Sequence, residues 1–460
     1  LKIKLIISAA PDDPLKNKEP FMPLSLGLLV ASAPNHKYIL VDMLKGEKVN
    51  YDEPVDLVGI SIRITAEKTA YKIADEFKKR NIKVVLGGPQ ASTAPLTAIK
   101  HADAVVIGEA ELSWAKLLDD VENNQLKDFY IYSPDKFNPK GYKVHQINEY
   151  LDLKHVPIAN RKLYKKRYRF DTLLATRGCP VCCDFCSVPY IYGKKIRTRP
   201  IDNVVNEIKT LRGFYYLLDD NVFGIDSTYN YYSALYDKIK SIKKKRFWTG
   251  QANLNAAASV KGREVIKKAA ESGMVYASIG IESINPEIMK KTGTLKKNCA
   301  EAKKGDEIKR VKDNIAFIQD QGIVISGWFT IGYDEDTIDT YYSTLEFCKE
   351  TNIIPIINPL EALPGTKLYD RLLKQNRICN TKSINILHPN IKDTDIITAM
   401  KEVYKEGFSL KEIFKRIGFY NKRFRSTYDK IFMAIFSYIL QTKLKDGIGA
   451  FINSGSMFES

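Results

Sequence analysis

With 460 residues, the chain is about three times the length of a typical domain, which predicts two or three globular units. Hydrophobic residues make up 44% and charged residues 27%, a balance that excludes collagen-like, disordered and disulfide-scaffold classes. The net charge is +17, and residues 161–212 alone hold 13 Lys/Arg against 4 Asp/Glu. That field attracts phosphorylated cofactors, acidic substrates, anionic lipid or nucleic acid.

The opening residues 1–10 are too short in their apolar part for a leader, and Pro11-Asp12-Asp13-Pro14 follows without a cleavage pattern, so they read as a buried first strand. No apolar run is long enough to span a bilayer. Residues 2–8, 38–43, 56–62, 83–86 and 104–107 read as strands, with helices at 24–33, 66–80 and 93–100 between them. This alternation predicts a doubly wound parallel sheet over residues 1–122, with ligands beyond the carboxyl ends of its strands. Those ends carry Ser61 and Arg63, Gly87, Gly88 and Gln90, and Gly108 and Glu109, whose glycines permit close backbone approach to a large ligand. Residues 123–170, with their prolines, tyrosines and the basic run 161–169, read as a linker.

A second alternation follows over 171–372. Strands are expected at 172–176, 214–218, 246–251, 275–281, 323–331 and 353–359, with helices clearest at 201–212 and 308–321, as in a partial (β/α)6 barrel. Residues 373–460 read as a basic, amphipathic helical region.

Four of the seven cysteines fall within residues 179–186, and the loop after the first barrel strand is where such a fold places its chemistry. Cys179, Cys183 and Cys186 have C-x3-C-x2-C spacing. Three thiolates on one short loop can hold three irons of a 4Fe-4S cluster and leave the fourth open to a ligand. A structural zinc site takes its ligands from two separated knuckles, and eight residues are too few to wrap four thiolates around one ion. Cys182 reads as a spare thiol, and Cys299, Cys348 and Cys379 as ordinary buried ones.

With its aromatic Phe185 before the third cysteine, RGCPVCCDFCSVP resembles the cluster loop of the radical S-adenosylmethionine superfamily, and the chain over residues 1–372 resembles its cobalamin-binding subgroup. The resemblance implies that the open iron chelates S-adenosylmethionine and that an electron from the cluster yields a 5'-deoxyadenosyl radical. It also implies that Asp219, Asp220 and Asn221 at the second strand end contact the methionine group, and Gln251 a further polar atom. Gly280, Glu282 and Ser283 correspond to the ribose segment, and Gly327 to the adenine segment.

Over residues 1–122 the resemblance rests on DLVGISIRI, VVLGGPQAS and AVVIGEAE, and it implies cobalamin held by Ser61, Arg63, Gly87, Gly88, Gln90, Gly108 and Glu109. The cobalamin signature D-x-H-x-x-G is missing, so no histidine is expected to ligate the cobalt. The activity implied is methylation of an unactivated carbon in a small-molecule, lipid or peptide substrate. Layouts such as that of the hopanoid methylases suggest a lipid, and a reductase, ferredoxin or flavodoxin would supply electrons. Radical carbon-carbon coupling or ring formation is the alternative chemistry. A binding module for nucleic acid or a membrane surface is the alternative of another class, motivated by the basic, aromatic tail 419–438. The expected location is cytoplasmic, with peripheral membrane contact open, and nucleic acid is the less expected partner.

Overall fold

The computed structural model describes the chain except for residues 12, 14, 15, 18, 136, 166, 167, 245, 380–384, 424–426 and 454–460. Asp12 and Pro14 after the first strand, and Lys166 and Arg167 of the basic run, therefore lie outside the described residues, as do residues 424–426 of the tail. The chain divides into two compact units. The first comprises Leu1–Pro180, Ser187–Asn203 and Leu363–Gly365; the second comprises Val181–Cys186, Val204–Ala362 and Thr366–Ser460.

In the first unit seven strands, β1 (Lys2–Ile7), β2 (Lys37–Asp42), β3 (Leu57–Ser61), β4 (Lys83–Gly87), β5 (Ala104–Gly108), β6 (Phe129–Tyr132) and β7 (Val144–Ile147), form one parallel sheet. Their order is β2-β1-β3-β4-β5-β6-β7, so the winding direction switches between β1 and β3. Alternate side chains feed two cores. Ile3, Leu5 and Ile7 pack with helices Leu24–Ser32 and Glu111–Glu122, while Ile6 packs on the other face with helix Glu67–Lys79. The sheet is thus covered on both sides, which explains the β-branched runs that made it readable. Lys4 breaks the pattern. It is fully buried with its ammonium 3.3 Å from Glu53 and 5.5 Å from the Phe77 ring centroid.

Two expectations need correction here. The stretch expected as a linker contributes β6 and β7, four residues each, which pair onto a sheet edge already formed by β5. The helix expected at 93–100 is two short ones, Pro89–Thr93 and Pro95–Ala98, because the residue before Pro95 is pushed out of the helical region to φ −129° at Ala94.

The strand expected at 172–176 is split into β8 (Asp171–Leu173) and β9 (Thr176–Arg177), and β9 pairs antiparallel with β10 (Arg197–Thr198), all within the first unit.

The second unit carries β11 (Tyr215–Leu217), β12 (Trp248–Ala252), β13 (Met274–Glu282), β14 (Val324–Ile331) and β15 (Ile354–Pro359), parallel and side by side in chain order. Helices Tyr229–Lys240, Val260–Glu271, Glu307–Asp320 and Ile338–Thr351 fill the intervals, the strand-helix succession of a partial barrel. Ala277, Ile279, Ile281, Ile325, Phe329 and Ile331 are buried on the helix-covered face; Ser278, Gly280, Trp328 and Thr330 alternate with them on the other. Helices Asp393–Gly407, Leu410–Asn421 and Thr427–Asn453 make up the C-terminal region. The α/β class with two parallel sheets and a helical C-terminal region is as expected. Among the described residues no helix is long and apolar enough to cross a membrane.

Candidate active site

The first cysteine leaves β9 through Gly178, whose φ of +97° and crowding by Lys195 O leave no room for a side chain. Cys179 N donates to Gly193 O at 3.2 Å. Two residues earlier, Arg177 donates to Glu109 Oε1 at 2.8 Å and to Glu111, while Arg197 donates to Glu109 Oε2 at 2.7 Å. All four side chains are nearly buried. Burial alone would raise the Glu111 carboxyl, but the Arg177 guanidinium beside it holds it below the usual range. Arg177 is held above its own, its carboxylate partners outweighing the cost of burial. A carboxylate expected to contact a cofactor, Glu109, is therefore occupied in clamping the arm that leads to Cys179.

Cys183 and Cys186 belong to the second unit, where Cys186 N donates to Cys183 O at 3.2 Å. Between them Asp184 N donates to Thr292 O at 3.2 Å, and Asp184 O accepts from Leu368 N at 2.9 Å. Tyr333 donates to Asp184 Oδ1 at 3.4 Å and meets Phe185 edge-on at 6.5 Å between centroids. Burial raises the Asp184 carboxyl. All four cysteines of the loop are of intermediate exposure. Among the described residues no group of three His, Cys, Asp or Glu side chains is gathered as for one metal ion.

Backbone strain marks the same segments. Of the seven non-glycine residues with positive φ among those described, five are asparagines, which tolerate that region; the other two are Cys182 at 56° and Glu282 at 71°. At Glu282 the pairing of β13 with β14 also shifts register between Gly280 and Glu282, a bulge that re-aims its side chain. The Glu282 carboxylate meets Lys297 Nζ at 2.5 Å and accepts from Thr330 Oγ1 at 3.0 Å. A Cβ on Gly280 would strike both Glu282 and Lys297, so the glycine makes room for this pair. Burial would lower the Lys297 ammonium, but Glu282 and the nearby fields of Cys183 and Cys186 hold it above its usual value.

The other strand-end residues behave differently from one another. Asp219 is fully buried and accepts from Tyr232 Oη at 2.8 Å, whereas Asp220 is half-buried. Asn221 shapes its loop, donating to Gly224 O at 2.7 Å and accepting from Phe223 N and Asn253 N. Gln251 is exposed at the end of β12. Ser283 is buried and accepts from Asn285 N at 3.0 Å. Gly327 faces the helix-covered side, where a Cβ would collide with Ile353 and Phe329.

In the first unit a cavity of about 150 Å³ opens at the carboxyl ends of β3, β4 and β5. Ser61, Gly87, Gly88, Gly108 and Glu109 line it, with Leu5, Gly59, Trp114 and Arg177 among their neighbours, and no histidine takes part. Gly88, at φ +95°, lies so close to Ile62 that a Cβ would meet its backbone at 2.9 Å. Arg63 and Gln90 are not in this lining. Arg63 pairs with buried Asp13 at 3.0 Å, and Gln90 is itself buried. Sequence reasoning missed Lys297, which sits in a lysine-rich stretch with no distinguishing pattern. It also missed the pairing of Glu111, Arg177 and Arg197, although Arg177 opens the motif RGCPVCCDFCSVP.

Residues 173–348 match the family model described as the Radical SAM superfamily. The chain is 29% identical over 429 residues to bacteriochlorophyllide d C-8(2)-methyltransferase of Chlorobaculum tepidum, spanning 88% of this chain and 90% of that one. It is 26% identical over 411 residues to bacteriochlorophyllide d C-12(1)-methyltransferase of the same organism, spanning 85% and 84%. Among solved structures, the cobalamin-dependent S-adenosylmethionine radical enzyme OxsB, with aqua-cobalamin and S-adenosylmethionine bound, superposes with a TM-score of 0.68 at 16% identity, over 97% of this chain and 72% of that one.

Proposed function

We propose that this chain, which carries a Radical SAM domain over residues 173–348, is a cobalamin-dependent radical S-adenosylmethionine enzyme that methylates an unactivated carbon of a small molecule. The observation that carries the reading is the likeness to a methyltransferase through 88% of the chain, far beyond the matched domain.

The donor set suits an iron-sulfur cluster: three thiols at C-x3-C-x2-C spacing, with the half-buried ammonium of Lys297 in the field of two of them. Bound groups would supply what side chains cannot, the cluster an electron to split the sulfonium and the corrinoid a methyl group for the substrate. Cys179, Cys183 and Cys186 would hold the cluster, with Phe185 shielding it. Asp220 is the carboxylate we assign to the methionine ammonium, because it is half-buried where Asp219 is fully buried. Glu282, oriented by Lys297 and Thr330, would accept from the ribose hydroxyls.

For the corrinoid, Ser61, Gly87, Gly88 and Gly108 frame a cavity at the strand ends that would take part of the cofactor. The sheet of the first unit is then the corrinoid-binding region, 171–372 the radical domain and 373–460 a helical addition. A flavodoxin, ferredoxin or reductase of the cytoplasm would deliver the electron.

The test is anaerobic incubation of the reconstituted chain with methyl-labelled S-adenosylmethionine, cobalamin, a reductant and substrate extracts. Methylation predicts both 5'-deoxyadenosine and S-adenosylhomocysteine, with label in the product. 5'-Deoxyadenosine without labelled product would favour coupling or ring closure instead.

A further inference from the structure

The last two helices of the chain bury polar groups and leave large apolar ones bare. In helix Thr427–Asn453, Ser437 and Gln441 are buried; Gln441 donates to Ser437 Oγ at 3.0 Å and accepts from Arg416 Nε at 2.6 Å. Arg416, on helix Leu410–Asn421, is itself buried and donates to Gly407 O at 2.6 Å. On the opposite side Ile431, Ile435, Tyr438 and Ile439, spaced i, i+4, i+7 and i+8, are all exposed, the first two by 57% and 56%. Helix Leu410–Asn421 already gives Ile413, Ile417 and Tyr420 to the core, yet Leu410 and Phe414, one turn apart, stand 60% and 58% exposed.

The two sets meet. The rings of Phe414 and Tyr438 stack with centroids 6.2 Å apart, so the bare apolar side chains of both helices join in one patch, the mark of an interaction site. Its rim is basic. Lys443 follows Ile439 by four residues and Lys445 follows Tyr438 by seven, both exposed, and Lys411 and Lys415, each next to one of the exposed pair on the other helix, are exposed too. Residues 410–445 hold 9 Lys/Arg against 2 Asp/Glu. That charge selects the occupant. A second copy of the chain would bring two like-charged sets together, and sites for other proteins favour Trp, Tyr and Arg and are depleted in lysine. Aliphatic side chains ringed by lysines suit an anionic lipid surface, where the apolar groups enter below the headgroups and the lysine stems carry their ammonium groups up to the phosphates.

We propose that the face formed by Leu410, Phe414, Ile431, Ile435, Tyr438 and Ile439 docks the protein on a membrane surface, with anionic phospholipid as its partner. Helix Thr427–Asn453 then lies in the plane of the headgroups and does not cross the bilayer. Each lysine brought to the surface strengthens partitioning by roughly fivefold. The inference goes beyond the methyltransferase reading and is independent of the chemistry at the cysteine loop.

Co-sedimentation of the full chain with vesicles tests it, using phosphatidylcholine alone and equal parts of phosphatidylcholine and phosphatidylglycerol. The expected result is binding to the mixed vesicles at least roughly tenfold tighter than to phosphatidylcholine, weakening as salt rises. Ile435→Asp should weaken it roughly tenfold or more, whereas Ile435→Trp should retain it and add an emission component that shifts to the blue on mixed vesicles. An unchanged melting transition in Ile435→Asp separates lost docking from lost folding; should that variant melt lower, the emission of Ile435→Trp decides. Failure of the wild type to sediment with mixed vesicles, equal binding by wild type and a normally melting Ile435→Asp, or an Ile435→Trp emission that vesicles leave unmoved would overturn the proposal. So would a dimer in light scattering that Ile435→Asp dissociates and that ignores vesicles, which would give the face to a second copy.

Discussion

Replacing Glu109 with glutamine perturbs the anchor of the arm that leads to Cys179. One carboxylate oxygen takes Arg177 at 2.8 Å; the other takes Arg197 at 2.7 Å and the Leu151 amide at 3.3 Å. A glutamine keeps the shape but turns one acceptor into a donor facing a guanidinium. Arg197 then retains the Leu151 and Tyr192 carbonyls, and Arg177 retains Glu111. Breaking a buried pair from one side costs about 3–5 kcal/mol. Glu111→Gln removes a single charged contact, worth about 1.5–3 kcal/mol. At about 2–4 °C per kcal/mol for a domain of this size, Glu109→Gln should lower the melting transition of the first unit by roughly 6–20 °C, and Glu111→Gln by less. Calorimetry of the full chain reads the shift, and iron content after reconstitution should fall with it. A double variant, Glu109→Gln with Arg197→Met, should recover part of the loss by removing the stranded charge. A Glu109→Gln transition within about 2 °C of the wild type would refute the claim that this network holds the arm.

Other outcomes follow from the same geometry. Cys183→Ala should lose both cluster absorption and 5'-deoxyadenosine formation; iron retention with full cleavage would contradict the assigned ligands. Lys297→Met should leave Glu282 with Thr330 as its remaining partner, and equilibrium dialysis should show S-adenosylmethionine binding weakened roughly tenfold or more. Leu29→Trp, which fills the cavity of the first unit from one wall, should abolish corrinoid retention while the cluster spectrum persists. Glu361 follows the last strand of the second unit with no hydrogen-bond or ion-pair partner among the described residues, and burial pushes its carboxyl up to about 7. A raised carboxyl means that the folded state binds more protons than the unfolded one, so this group lowers stability as pH rises from about 4.5 to 7. Glu361→Gln should therefore match the wild type near pH 4.5 and exceed it by up to about 3 kcal/mol above pH 7 in denaturant titrations.

What could be read in the sequence was what repeats or clusters locally. β1, β3, β4 and β5 announce themselves because a sheet covered on both faces needs continuous β-branched runs, and the cysteine spacing is complete within eight residues. β6 and β7 hide because four-residue strands in a turn-rich stretch owe their form to the edge they join. The strand-end residues were found as segments, but not their separate duties. Asp219 and Asp220 read alike in the sequence, and only the fold buries Asp219 against Tyr232 of the next helix and leaves Asp220 half-buried. Arg63 was expected at the cofactor, yet Asp13, fifty residues away, claims its guanidinium. Lys297 is one of many lysines in its stretch, and only its burial against Glu282 singles it out. In each case the missing information is a long-range partner, which spacing along the chain does not encode.

The most direct measurement is the visible absorption of the chain after anaerobic reconstitution with iron, sulfide and cobalamin and removal of unbound material. The account predicts a broad iron-sulfur band together with corrin bands in near-equal stoichiometry, the first lost in Cys183→Ala and the second in Leu29→Trp. Protein that emerges colourless, or that carries one tetrahedral zinc in place of the cluster, would contradict it.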